Sequence, residues 1–364
     1  GRAAGGAISV ITKGGGREFR GSGWWTHRHE QFNANNFFRN RTGLAKPPYR
    51  YNIAGFSLGG PLYIPERFNT DKNRLFFFVS QEYTRQKVDY GNQFRNMPSE
   101  LERQGDFSRS FDVNGKLIPV TDPVSKSPFP GNVIPASRIN RLGQSMLKFF
   151  PLPNYVDPDL ALRYRQNYKA AASGAHPRRN DMVRIDLYPS EKLHAYFRWI
   201  NDADDADTPF QGFNFAYTII RHPNPGHGYA GHVTYTFSPT LLNEVTLGKS
   251  WNSWQWAPKD PEAVLRSRLG EIPQWFPNQL STKIPSEAVD AKMLPNLQFG
   301  GTPVNAPGVT INNIQHVNHN DTWDVTDNLS WVRGAHSFKT GVYLNFTDKV
   351  QVHGDAWNGV FSFG

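Results

Sequence analysis

Asn180 to Asn201 reads NDMVRIDLYPSEKLHAYFRWIN. Val183, Ile185 and Leu187 alternate with Arg184, Asp186 and Tyr188. After Pro189-Ser190-Glu191-Lys192, Leu193, Ala195, Phe197 and Trp199 alternate with His194, Tyr196 and Arg198. A period of two puts the two sets on opposite faces of a strand. A short polar turn between two such runs makes an antiparallel hairpin. One face of this hairpin is apolar and aromatic; the other carries Arg184, Asp186, His194 and Arg198.

The same alternation recurs on both sides. Strands are expected from about Arg17 to His29, with Phe19, Gly21, Gly23, Trp25 and His27 on one face, then over Arg50–Leu58 and Leu75–Thr84. Further strands are marked by Tyr229 to Phe237, Val245 to Trp251, Trp323 to Trp331 and Phe338 to Phe346. With the opening hairpin this makes nine long strands, besides a short one over Ala7–Lys13. Their connections alternate between short and long, and the longest cover about Arg85–Arg179 and about Ala257–Asn318. Loops sorted by parity are the mark of an up-and-down barrel in an outer membrane; a soluble sandwich has no reason to sort them. Structureless loops of that size are also rare in compact soluble domains. Within the loops, Ser137 reads as the N-cap of a helix carrying Ile139, Leu142, Met146 and Phe149, and Asp260-Pro261-Glu262 as the start of another through Leu269.

Composition agrees. Of 364 residues 38% are hydrophobic, mean hydropathy is −0.58, and aromatics reach 14%. No stretch approaches the ~18 apolar residues of a membrane helix. Barrel strands, being only half apolar, escape that test. The net charge of +9 comes from scattered Lys and Arg, which reads as a solvated basic surface and not as a nucleic-acid stripe. There is no cysteine, so disulfides, thiolate metal sites and cysteine catalysis are excluded. The chain opens on Gly1-Arg2 and closes on Val360-Phe361-Ser362-Phe363-Gly364; an internal piece of a longer protein is the expectation, which leaves targeting unread.

Several stretches resemble TonB-dependent outer-membrane receptors of the Oar-like branch. Gly5-Gly6-Ala7-Ile8-Ser9-Val10-Ile11-Thr12-Lys13 is similar to the last strand of their plug domain, and Phe19-Arg20-Gly21-Ser22 to the opening of the first barrel strand. Gly55-Phe56-Ser57-Leu58-Gly59-Gly60-Pro61-Leu62, Asp71-Lys72-Asn73-Arg74-Leu75-Phe76, Ile134-Pro135-Ala136-Ser137-Arg138-Ile139, Phe150-Pro151-Leu152-Pro153-Asn154 and His336-Ser337-Phe338-Lys339-Thr340-Gly341 follow in the family's order. The resemblance implies residues 1–15 as the end of a plug domain and 16–364 as the N-terminal part of a barrel, about nine of the ~22 strands of a plugged transporter. It implies energy-coupled uptake of a scarce, bulky nutrient of siderophore, glycan or peptide type. The partners would be outer-membrane lipid and, through a part of the protein outside this chain, the TonB complex. No cofactor and no catalysis are implied. Two other functions stay open: an Oar-like surface protein of adhesion or export, and a secreted soluble carbohydrate-binding β-protein.

Local motifs add little chemistry. Gly55-Phe56-Ser57-Leu58-Gly59 fits a nucleophile elbow, but no helix follows to expose the serine. Gly248-Lys249-Ser250 lacks the first glycine and the helix of a phosphate loop. Asp202, Asp204, Asp205 and Asp207 form a candidate calcium site, with a solvated acidic loop tip as the favoured reading. His222, His227, His232, His316 and His319 lack the spacing of a metal site and read as loop polarity. Trp251, Trp254 and Trp256, with Trp275 and Phe276 beyond, form an aromatic patch. It is either an interfacial girdle, the favoured reading, or a platform for a ligand such as a sugar.

Overall fold

The computed structural model describes residues 11–41, 45–159, 163–209, 219–265, 267, 294–300, 306, 308, 316–352 and 360–363. In order, the strands are β1 Arg20–His29, β2 Tyr49–Pro61, β3 Leu75–Arg95, β4 Tyr168–Ser190, β5 Leu193–Thr208, β6 Ile220–Ser238, β7 Leu241–Pro258, β8 Asn296–Phe299, β9 His316–Arg333, β10 His336–Val352 and β11 Val360–Phe363. Nine of them form one antiparallel sheet, β1-β2-β3-β4-β5-β6-β7-β9-β10, each beside its neighbour in sequence. The short β8 and β11 pair in parallel outside that sheet. The expected nine strands are thus present, in the expected meander. The described sheet is open, with β1 and β10 at its edges.

Register turns the alternation into rows. Phe77, Ile185, Phe197, Gly231, Leu247, Val325 and Leu344 are successive partners across six strand pairs. The row toward the long loops ends in aromatics: Val79, Val183, Trp199, Tyr229, then Trp323 and Phe346 further round. At the short-turn rim Tyr235 packs edge-on against Phe237 at 4.8 Å, and Trp331 stacks on Phe338 at 5.5 Å. An apolar band between two aromatic girdles is what a lipid-facing barrel wall requires. These side chains are accordingly open to the outside, Val342 by 59% and Phe346 by 60%. No described helix is long and apolar enough to cross a membrane.

The strands are longer than the sequence pattern suggests. β3 has 21 residues and β4 has 23, against the ~9–11 that a tilted strand needs to cross a bilayer. The excess lies at the long-loop end. There both faces are polar, as in Gln86-Lys87 or Asn201-Asp202, so the ladder continues while its hydrophobic period disappears. The loop expected over Arg85–Arg179 therefore shrinks to the stretch between Arg95 and Tyr168.

Smaller expectations need correction. Ser137 sits in a 3-10 turn, Ala136–Arg138; the helix that follows is Arg141–Leu147, capped by Asn140, whose side chain accepts from the Leu142 and Gly143 amides. Asn wins because its short amide reaches those N–H groups, whereas a helix begun at Ser137 stops at Ile139, which is extended. Asp260-Pro261-Glu262 starts only a 3-10 turn, Pro261–Val264, with Leu265 extended; Leu269 lies outside the described residues. Of the short strand expected over Ala7–Lys13, only Ile11, Thr12 and Lys13 are described, and they carry no strand.

Candidate functional site: the inner wall and the segment lodged on it

The face opposite the apolar band holds a connected polar array. Arg184 and Asp186 lie two apart on β4, so their side chains project together. The pairing is bidentate: Arg184 Nη2 donates to Asp186 Oδ1 at 2.7 Å and Nε to Oδ2 at 2.9 Å. His194 Nε2 lies 3.2 Å from Asp186 Oδ1. The Arg184 guanidinium rests 4.0 Å above the Tyr196 ring. Tyr188 stacks on His194 at 4.3 Å, and Tyr196 on His232 at 5.0 Å. His232 in turn meets Thr246 Oγ1 at 2.8 Å and Thr234 Oγ1 at 2.9 Å. The array thus crosses β4 to β7, and Asp186 at its centre is only 3% exposed.

A length of chain rests on this wall. Arg184 Nη1 donates to both the carbonyl and the hydroxyl of Thr12, each at 3.0 Å. Gly14 passes so close that a Cβ there would lie 2.8 Å from Asp186 Oδ2, and a Cβ on Gly15 would lie 2.3 Å from the Phe77 carbonyl. At Gly15 the obstacle is backbone, so only glycine allows that approach, while Gly14 meets the carboxylate end of the Asp186 side chain. Gly15 thus lets the chain lie on the wall before β1 begins. Further along, Trp24 Nε1 donates to Glu82 Oε2 at 2.9 Å across Gly55, whose missing side chain makes room for the indole. Arg184, Asp186, His194 and Arg198, expected together on the polar face of the hairpin, lie on this inner face, Arg198 as the register partner of Arg184.

The acidic run is not a loop tip. Asp202, Asp204, Asp205 and Asp207 all lie in β5, and alternation sends the first two to one face and the last two to the other. Each has its own partner. Asn180 Nδ2 donates to Asp202 at 2.9 Å; His176 Nε2 lies 2.5 Å from Asp204; Arg221 Nε donates to Asp205 at 2.8 Å; Lys259 Nζ lies 2.6 Å from Asp207. Among the described residues no group of three or more His, Cys, Asp or Glu is placed to hold a metal ion. The histidines are likewise strand residues and not loop polarity: His222, His227 and His232 on β6, His316 and His319 on β9. For His222, His227, His316 and His319 the reason is the same strand overshoot, whose wet faces look like loop in sequence; His232 lies within the band, on the inner face.

Alternation also divides the tryptophans. Trp251 is on the outer face, stacked between His227 at 5.2 Å and His319 at 5.7 Å, as a girdle residue would be. Trp254 and Trp256 are on the inner face. Trp256 packs edge-on against His222 at 5.4 Å, and Trp254 against His316 at 5.4 Å. Trp254 is 46% exposed. Beside it Asn318, its register partner, buries an amide oxygen that has no hydrogen-bond partner among the described residues, and so does the Trp256 indole N–H. Trp275 and Phe276 lie outside the described residues. Ser57, in the elbow-like motif, is mid-strand in β2 and bonded to Ser22 Oγ at 2.8 Å; Lys249 is mid-strand in β7.

Above the inner wall the long loops build the buried apolar core. Met97, Met146 and Phe150 from the β3–β4 loop meet Ile220 at the start of β6, and Val264, Leu294 and Leu297 from the β7–β9 connection. Asparagines staple this storey. Asn132 Nδ2 donates to Phe107 O at 2.6 Å and Ile118 O at 2.9 Å while its oxygen accepts from Val120 N at 2.7 Å. Asn167 bonds both the amide and the carbonyl of Met97, at 2.7 and 2.8 Å. Arg103 donates to the carbonyls of Leu147, Phe150 and Pro151. Sequence reasoning does not find these residues; the Ser99-x-x-Glu102 capping box, with the Glu102 carboxylate accepting from the Ser99 amide at 2.8 Å, is the one local signal in this storey.

Residues 11–364 match the outer membrane beta barrel domain family. No curated protein matches the chain. Among solved structures, the outer membrane transporter YddB from Escherichia coli is similar with a TM-score of 0.45 and 7% identity, over 92% of this chain and 31% of that one. Over nearly its whole length, then, this chain belongs to the outer membrane beta barrel domain family, and it is a protein of the outer membrane.

Proposed function

We propose that the chain is the N-terminal barrel portion, residues 16–364, of a TonB-dependent receptor of the Oar-like branch, with residues 1–15 the end of its plug. The protein imports a scarce, bulky nutrient without covalent chemistry. The observation that carries this reading is the segment Thr12–Gly16, held on the inner wall by Arg184 and fitted there by glycine. In the proposed receptor the plug that ends in this segment fills the barrel, so transport needs an energy-driven rearrangement, and TonB is the partner proposed to supply it. Capture of the nutrient falls to the long-loop storey and to the inner-face Trp254 and Trp256, whose rings offer a stacking surface.

The test is accumulation of labelled ferric siderophore, oligosaccharide or oligopeptide by cells with and without the full-length protein, before and after collapse of the proton-motive force. One class is expected to enter only with the protein present and the force intact. Trp254→Ala should lower that uptake without reducing the amount of folded barrel. Uptake indifferent to the proton-motive force, or absent for all three classes, overturns the reading and leaves surface adhesion or export as the function.

A further inference from the structure

Among the described residues, the charged side chains that enter the outer apolar band are Asp327 on β9 and Lys249 on β7. Asp327 takes the place of an aliphatic side chain in a row that otherwise reads Leu75, Leu187, Ala195, Val233, Val245 and Val342. It points outward and is exposed. Asn243 of β7 meets it, with Nδ2 donating to Asp327 Oδ1 at 2.5 Å. Two rows nearer the long loops, Lys249 lies over the Trp323 ring at 4.8 Å, with its Nζ 3.5 Å from Asp321 Oδ2. Charge against lipid is costly, and where it persists it faces protein or water.

The arrangement is self-complementary. At both depths the donor is on β7 and the acceptor on β9. A two-fold axis along the membrane normal, passing between these strands, sets β7 of one copy against β9 of the other. Asn243 then meets the Asp327 of the second copy, and Lys249 its Asp321. The flanking strands fit as well. Gly231 on β6 leaves a notch between Phe197 and Leu247, with open space where a side chain would be. Leu344 on β10 stands in the same row, 46% exposed, and the same axis carries it to that notch. A closed two-fold contact requires one patch to match itself in this way. We infer that the outer face of β6, β7, β9 and β10 is the interface of a homodimer in the plane of the outer membrane.

The experiment uses the full-length protein in native outer-membrane vesicles, with any cysteine outside this stretch removed. Leu247→Cys, between the two polar pairs, is treated with a short bis-maleimide. Phe197→Cys, in the same row on β5, is the control. A band of twice the monomer mass is expected from Leu247→Cys and not from Phe197→Cys. It should be lost when Asn243→Leu and Asp327→Leu are added, while heat-modifiable mobility shows the barrel still folded. Monomer alone from both cysteines overturns the proposal. So do equal cross-linking at both, a product whose mass reveals a different partner, or a dimer band that survives the two leucine substitutions.

Discussion

The membrane band and the storey above it are made from the same strands and held together by opposite means. In the band, large apolar side chains point out, Phe346 by 60% and Phe338 by 51%, and polar ones point in. Among the described residues the buried apolar cluster lies outside the band, where only single side chains such as Phe76 and Phe78 are buried on the inner face; lipid takes the part of the core. In the storey above, Met97 at 2% and Val264 at 1% exposure are sealed inside a cluster drawn from two connections and the start of β6. Its polar groups are spent on backbone staples such as Asn132 and Asn167, while ion pairs such as Arg221–Asp205 tie neighbouring strands. One sheet thus passes from an inside-out arrangement to an ordinary one within a single strand. On β5 the change falls between Trp199, facing lipid, and Asn201, where both faces become polar.

The largest effect expected from this contrast is at the inner wall. Asp186→Ala leaves Arg184 charged, 12% exposed and without its carboxylate, and stranding one half of a buried pair costs about 3–5 kcal/mol. Denaturant unfolding of the full-length protein in vesicles measures the loss, and protease sensitivity near Thr12 should rise with it. If the Asp186→Ala and Arg184→Ala costs simply add in the double variant, the two residues do not act as a unit and the wall is a less cooperative element than described. Next in size is the band's boundary. Ile185→Arg, in the row of Phe77 and Phe197, should cost about 2–4 kcal/mol, and Ala203→Arg, on the same outer face above the change, about 0–1 kcal/mol. Equal costs would put lipid against Ala203 and move the boundary into the storey above.

The same contrast decides what could be read beforehand. Period two is written in sequence only where one face is dry and the other wet. Val183 to Trp199 satisfies that condition, so strand number, order and loop parity are legible. Residues 86–95, 168–180 and 201–208 are ladder in which neither face keeps an alternating apolar set, and they imitate loop. That is why Asp202, Asp204, Asp205 and Asp207 read as a tip when each is a strand residue with a separate partner. The candidate site is legible to the same extent. Arg184, Asp186 and His194 can be assigned to the inner face by parity, but the hold of Arg184 on Thr12 is a contact across more than 170 positions, for which a single sequence holds no signal. Trp254 and Trp256 are separable from Trp251 by parity alone, once β7 is known to run straight through all three. Asn132 and Asn167 could not be found, because an asparagine that staples backbone is indistinguishable in sequence from one in a solvated turn.

The smallest expected effect is in the storey above, and it depends on pH. Asp122 accepts from both Arg138 Nη atoms, at 3.1 and 2.8 Å, and from the Val124 amide at 2.9 Å. The Arg138 guanidinium, helped by that amide, holds the Asp122 carboxyl at about 2, well under its ordinary value of 3.8. The clasp ties the turn around Asp122 to the Ala136–Arg138 turn beside it. Because the folded value is the lower one, its contribution is complete above the unfolded carboxylate value of about 3.9 and is lost as pH falls through about 2. Hydrogen exchange across residues 122–128 should therefore stay constant from about pH 6 to about pH 4, once corrected for intrinsic rates, and quicken between about pH 4 and about pH 2. The Arg138→Met variant should already exchange quickly at about pH 6, with no step near about pH 2 to follow. A step that persists in Arg138→Met would assign the acid sensitivity of this loop to another carboxylate. The contrast between band and upper storey would then need a different polar staple at its outermost point.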